Sequence, residues 1–502
     1  MNAAMPNMKR VFPFSRQALA AALALSQLGM GTANAHDQDD RGGSGARSPA
    51  VLAARAQVFK ANPQMVRSIV EGGGFGTELS YAVANSMYSR TDQNAIADAR
   101  ARLKVEAVAP RTWLLRFPIV NVVVFETDEG LVLVDSGYAP AGPALAETLK
   151  KLSNKPLHTV ILTHFHADHA FGAWALMEQK PRVVTEQRFI AQMELDMRSN
   201  GLIARNNQQS VADVPRTWAD AVRPTQTFRD KTTLKIGGED FVLTHARGET
   251  EDQIWVAVPG RKIVASADYF QGFLPNAGNG KRRQRYPEEW AQALRDMAAL
   301  KPELLLPAHG PAIIKHEEIQ DQLPAQAQML ESISRQVVAG LNSGERRDLV
   351  IDKVALPPEL AGRSDARELY VSAKDIGRMV ASEYSGWWDD IPSHWRPAPL
   401  ANEAREIVQL AGGARQVIRR ATALADRNPE LASHLADWAW YADSDDPEVT
   451  QGALNVYAKR VAKPLPTQEV LVYAEHMVRL QLKLNELNSA RAASASQSSA
   501  VH

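Results

Sequence analysis

The chain has 502 residues, enough for two or three domains at ~100–200 residues each, and its 57 basic side chains balance 57 acidic ones. A formal net charge of zero argues against a nucleic-acid or anionic-membrane partner, which would need a surplus of Lys and Arg. With no cysteine, disulfides are excluded and any metal site must be built from His, Asp and Glu.

The chain opens with Lys9, Arg10 and Arg16, then a short Ala/Leu-rich stretch over 18–30, then the small-x-small triplet Ala33-Asn34-Ala35. Charged region, apolar core and cleavage site in that order predict a signal peptide over 1–35 and a secreted or periplasmic protein. A disordered linker is expected over 36–52, because "HDQDDRGGSGARSPA" offers little to bury. Residues 50–105 mix helical spacing with a Gly-rich break, "EGGGFGTE".

From Trp113 the pattern becomes strand-like. "TWLLRFPIVNVVVFETDEGLVLVDSGYAP" splits its apolar runs at the turn signal Asp128-Glu129-Gly130. The helix "GPALAETLKKL" leads into the strand "HTVILTH". Then come "PRVVTEQ", "TTLKIGGEDFVLTHA", "DQIWVAVPG", "RKIVASADYF", the helix "PEEWAQALRDMAAL" and a last strand, "ELLLPAHG". Hairpin pairs together with alternating helices predict a mixed α/β sandwich over 53–323. From about Pro324 the apolar spacing is helical throughout, predicting an all-α domain over 324–488, and the low-complexity tail 489–502 reads as disordered. No internal apolar run approaches the ~18–20 residues of a membrane span.

"VILTHFHADHAFGA", residues 160–173, places three of the chain's 12 histidines in one short window. A loop leaving a strand can curl His164, His166, Asp168 and His169 toward one point, where a straight strand would alternate them. Imidazole and carboxylate suit zinc, and a cysteine-free set fits catalytic rather than structural zinc.

"THFHADHAFG" resembles the H-x-H-x-D-H signature of the metallo-β-lactamase-fold hydrolases. The strand-end "VDSG" (134–137) and the late "LPAHG" resemble two further motifs of that family, over about residues 110–320. The resemblance implies an αββα sandwich holding two divalent ions, zinc being expected. It assigns His164 and His166 to one ion, Asp168, His169 and His309 to the other, and Asp268 as the bridge, with Asp168 and Asp268 central to catalysis. Asp135 becomes a residue that orients a ligand. The remaining ligand has two candidates in "THARGETEDQIW": Glu249 by alignment of Gly248 and Thr250, or His245 at the strand end, the other then serving to orient a ligand.

"DYFQGFLPN", "SGWWDDIP" and "VQLAGGARQVIRRATALAD" are similar to segments of the alkylsulfatase branch, the last lying in its helical dimerisation domain. That implies a homodimer and a small-molecule ester substrate, foremost an alkyl sulfate, attacked by hydroxide generated at the ions. A phosphodiester, carboxylic ester, lactone or β-lactam is the alternative substrate. A helical interaction protein with a vestigial metal site is the alternative of another class. Arginine forks match sulfate oxygens, so Lys281, Arg282, Arg283 and Arg285, together with Asn276, are candidate substrate residues. Trp387 and Trp388 are expected to wall an apolar pocket or to fill an interdomain core.

Overall fold

The computed structural model describes residues 48–72 and 80–499. The signal peptide expected over 1–35, most of the linker and part of the Gly-rich break lie outside the described residues.

Two sheets form the centre. The larger runs in the order β1 (Lys104–Ala109), β2 (Thr112–Arg116), β3 (Asn121–Glu126), β4 (Leu131–Val134), β5 (Leu157–Ile161), β6 (Arg182–Glu186) and β7 (Gln226–Phe228). The smaller runs β12 (Leu304–Pro307), β11 (Ile263–Ala267), β10 (Ile254–Val258), β9 (Glu239–His245) and β8 (Lys231–Ile236). Strands β1 and β7 give no signal in the sequence, for a physical reason. Both are sheet edges, and their mostly exposed or half-buried side chains show no apolar alternation.

Period-two alternation separates the cores. Val123, Phe125, Val132 and Val134 point from the first sheet to the second, where Phe125 meets Phe241 edge-on with ring centroids 5.5 Å apart. Val122, Val124, Leu131 and Leu133 point the other way, toward α4 (Gln93–Arg102), α5 (Gly142–Leu152) and α7 (Arg188–Arg198). The far face of the second sheet is covered by α9 (Pro287–Ala299), α10 (His316–Asn342) and α13 (Ala373–Ser385). The result is the expected αββα sandwich followed by an all-helical region.

The packing divides the chain differently from the boundaries expected of the sequence. Helix α10 runs through residue 324 without a break, with Pro324 inside it, and α10, α11 (Arg347–Lys353), α12 (Pro358–Ala361) and α13 share one core with the second sheet. A separate helical core begins at Val408 and contains α14 (Leu400–Leu410), α15 (Ala414–Leu424), α16 (Pro429–Ala442), α17 (Pro447–Val461) and α18 (Thr467–Ser499). Its other members come from the opposite end of the chain. Val58 of α1 (Pro49–Ala61) and Met65 and Ile69 of α2 (Pro63–Gly72) pack among them. Helix α1 therefore begins inside the stretch expected to be a disordered linker, with Ser48 as N-cap. At the far end, α18 continues to Ser499 through the stretch expected to be a disordered tail. Helical spacing predicts a helix; which face it buries depends on partners remote in sequence.

Candidate active site

The site lies at one end of the sandwich, where strands release their loops. β4 and β5 are parallel, as are β11 and β12, so their carboxyl ends emerge together. β9 is antiparallel to β10, and β10 to β11, so β9 exits at the same end as β11. Asp135, His164, Glu249, Asp268 and His309 each follow one of these exits. The expected loop after β5 tightens into a single helical turn, Ala167–Ala170, which carries Asp168 and His169.

The backbone is shaped for this convergence. Asp135 and Ala267, the residue before Asp268, both occupy the left-handed region (φ 65° and 48°), a conformation disfavoured for non-glycine residues and concentrated at functional sites. Gly172 sits so close to the β4 loop that an added Cβ would meet Ser136 O at 1.9 Å, which accounts for glycine in "HAFG".

Two groups of donors, buried except for the half-buried Asp168, converge: His164, His169 and Asp268, and Asp168, His169 and His309. In each, the ligand atoms lie within 4.8 Å of one another. His309 Nε2 is 3.2 Å from Asp268 Oδ1, and His169 Nε2 is 3.4 Å from the same oxygen. His166 adjoins the groups, its Nδ1 3.0 Å from His164 Nε2 and 3.7 Å from Glu249 Oε1. Among the described residues, His169 Nε2, Asp268 Oδ1 and Glu249 Oε2 are buried without a hydrogen-bond partner. Such orphans are costly unless something fills the space between them. Nitrogen and oxygen donors without sulfur fit borderline or hard divalent ions, so the residues suit the metal pair that the sequence implies.

Charge reinforces that reading. Burial opposes a proton on His169, but Asp268, Asp168 and Asp135 outweigh it and hold the imidazole well above its ordinary pKa. Burial, helped by the charge of His169, pushes His164 down to about 3. Burial pushes Glu249 up to about 8, with Arg285 pulling the other way. Cations entering this cluster would replace protons on His169 and Glu249.

Neighbouring residues fix the donors. Asp135 takes Thr163 N at 2.8 Å and Thr163 Oγ1 at 3.0 Å, and its Oδ2 sits 2.9 Å from His169 Nδ1. His309 Nδ1 bonds Ile119 O. Asn121, which sequence reasoning missed, donates its side-chain amide to Pro307 O at 2.8 Å and Gly310 O at 2.7 Å, clamping the His309 loop. Only its polarity at the head of an apolar strand could have flagged it.

Of the two candidates after β9, Glu249 faces the cluster. His245 turns to Glu251 O at 2.8 Å and Arg188 Nη1 at 3.4 Å, and it does not line the cavity above the histidines. That cavity encloses ≈ 1120 Å³ between the sandwich and the helices. The five candidate substrate residues all reach it, but most are already paired. Arg285 bonds Glu249 at 2.6 Å, and Asn276 donates to Glu249 at 3.2 Å. Lys281 pairs with Glu475 of α18 at 2.6 Å and Arg283 with Asp196 at 2.6 Å. Arg282 bonds only neutral oxygens, Asn207 Oδ1 at 2.6 Å and Lys281 O at 3.5 Å, and makes no ion pair among the described residues. Its charge is felt at His166, at Tyr370 and at the carboxylate of Asp196. Tyr88 and Tyr370 also line the cavity; burial raises both phenols, Tyr370 to about 12, so both stay protonated. Trp387 and Trp388 neither line the cavity nor fill a core. Trp387 is 69% exposed, and both cluster with Trp395 in the segment between α13 and α14, on the surface.

Residues 115–309 match the metallo-beta-lactamase superfamily and residues 347–473 the alkyl sulfatase dimerisation family. The chain is 29% identical to a linear primary-alkylsulfatase of Pseudomonas sp. over 64% of its own length and 67% of the relative's. It is 23% identical to an alkyl/aryl-sulfatase of Saccharomyces cerevisiae over 60% of its own length and 52% of the relative's. The chain thus spans between about half and two thirds of these curated relatives. The solved structure of the stereoselective inverting sec-alkylsulfatase Pisa1 from Pseudomonas sp. shares the fold: TM-score 0.66, 18% identity, covering 86% of this chain and 77% of that one.

Proposed function

We propose that this chain, which joins a metallo-β-lactamase-superfamily domain to an alkyl sulfatase dimerisation domain, is a metal-dependent hydrolase of sulfate esters. One observation carries the choice of substrate. Arg282, which makes no ion pair among the described residues although Asp196 feels its charge, shares a cavity with His166 and Asp168. A sulfate monoester has a permanent negative charge and three terminal oxygens, which a guanidinium fork matches.

His164, His166 and Glu249 would hold one ion, and Asp168, His169 and His309 the other, with Asp268 between them. When bound, such ions supply Lewis acidity and make a water molecule acidic enough to attack near neutral pH. Arg282 seats the sulfate head, and the protonated Tyr88 and Tyr370 offer it O–H donors. Asp135 keeps His169 Nε2 aimed at the cluster by holding its Nδ1. Apolar walls exclude water from the organic group. The reading includes two zinc ions per chain, export, and a homodimer assembled through residues 347–473. The thiol-free donor set, the charged and apolar N-terminal segment, and the dimerisation-family match support these in turn.

The test is sulfate release from a panel of alkyl sulfates, with a chromogenic β-lactam, a phosphodiester and a lactone alongside and metal content measured on the same preparation. Alkyl sulfates should turn over fastest. Preference for any other class would replace the sulfate reading, and well under two ions per chain with no turnover would favour a non-enzymatic role.

A further inference from the structure

The cavity continues beyond the candidate metal cluster into a second, mostly apolar part. Its walls include Val51 and Phe59 of α1, Ile69 of α2, and Leu471, Val478 and Leu482 of α18, with Glu475 and Arg479 of α18 also lining it, Glu475 being paired with Lys281 and Arg479. On α1, positions 51, 55 and 59 recur every four residues and so lie on one face. The middle position of that apolar stripe is Arg55.

An arginine here needs an anion. Arg55 Nη1 reaches Asn85 Oδ1 at a long 3.5 Å, and no ion pair satisfies it among the described residues. Burial lowers its pKa. Arg282 has different partners, Asn207 Oδ1 and Lys281 O, and no contact among the described residues joins it to Arg55. The two cationic points are therefore distinct. Arg55 is half-buried and so keeps part of its hydration, but with no counter-charge it can give an incoming anion a charge-assisted contact, and its five donors favour a planar or tetrahedral oxyanion.

We propose that Arg55 anchors a second anion subsite, taking a carboxylate or sulfate borne on the organic part of the substrate, away from the ester that reacts. This rests on the sulfate-ester reading and narrows it to esters with an anionic far end, lying along the apolar walls between Arg282 and Arg55.

Three ten-carbon esters test the proposal on the metal-loaded protein: decyl sulfate, ω-carboxynonyl sulfate and the α,ω-disulfate of decane. The wild type should prefer the two with a second anion. In Arg55→Met, which keeps the apolar stem and the helix, the ratio of their kcat/KM to that of decyl sulfate should fall about tenfold or more. Arg55→Lys, which keeps charge but not the fork, should retain part of it. A response to one tail alone tells carboxylate from sulfate. An unchanged ratio in Arg55→Met, or wild-type preference for decyl sulfate, overturns the subsite. Calorimetric binding of ω-hydroxydecanoate, which contains no sulfate, gives a readout independent of turnover. If that binding weakens in Arg55→Met while no ester is cleaved, the hydrolase reading falls and the subsite stands. Equal binding by both proteins overturns the subsite whatever the activity.

Discussion

Asp135 Oδ2 lies 2.9 Å from His169 Nδ1, both side chains buried, and the same carboxylate also takes both donors of Thr163. One acid at the end of β4 thereby orients a donor delivered by β5. The left-handed backbone at Asp135 makes this reach possible.

Asp135→Asn should keep the fold but lose the charge and one of the two acceptor oxygens. Metal affinity or activity should drop by about 10–100-fold, as for other residues that orient a metal-binding histidine. Metal titration followed by activity assay checks this, with circular dichroism as the control. Full affinity in the variant would remove Asp135 from the site.

Glu249→Ala and His245→Ala should separate sharply. Glu249 presents an unpartnered, buried oxygen beside His166, whereas His245 is turned to Glu251 O and Arg188. Metal analysis should find less than the wild-type complement in Glu249→Ala and the full complement in His245→Ala. The reverse pattern would return the ligand role to His245.

Arg282→Met should raise KM for alkyl sulfates by about tenfold or more, since a charge-assisted contact to the head group contributes about 1.5–3 kcal/mol. Arg283→Met, whose parent is paired with Asp196 near the surface, should change KM far less. Equal effects would mean that net charge, not a specific contact, draws the substrate in.

Lys281 and Glu475 tie the catalytic loop to α18 across a contact with side chains 22% and 15% exposed. Burial pushes Glu475 up, but Lys281 and Arg479 outweigh it and hold its pKa below the ordinary 4.5. A carboxylate depressed on folding stabilises the protein above its unfolded pKa and loses that contribution as the pH falls through the folded value. Glu475→Gln should therefore lower Tm by about 1–2 °C at pH 7, with the difference fading as the pH drops below the ordinary glutamate range. A gap that stays constant down to low pH would mean that shape rather than charge holds the contact.

What the sequence by itself determined was everything carried locally. Alternating apolar residues in "NVVVFE" and "LVLV" dictate two-faced strands, and six residues from His164 to His169 hold most of the donor chemistry within one loop. Neither depends on distant partners. Which cation is left without an ion pair depends on them entirely: Lys281, Arg282, Arg283 and Arg285 look alike in one basic run, yet three are held by Glu475, Asp196 and Glu249, each far off in the chain. Arg55 gave no signal either, because an arginine in an amphipathic helix ordinarily faces water. Only the packing of α1 and α18 over the cavity turns it inward, and burial and pairing are properties of the folded surface, settled where remote segments meet.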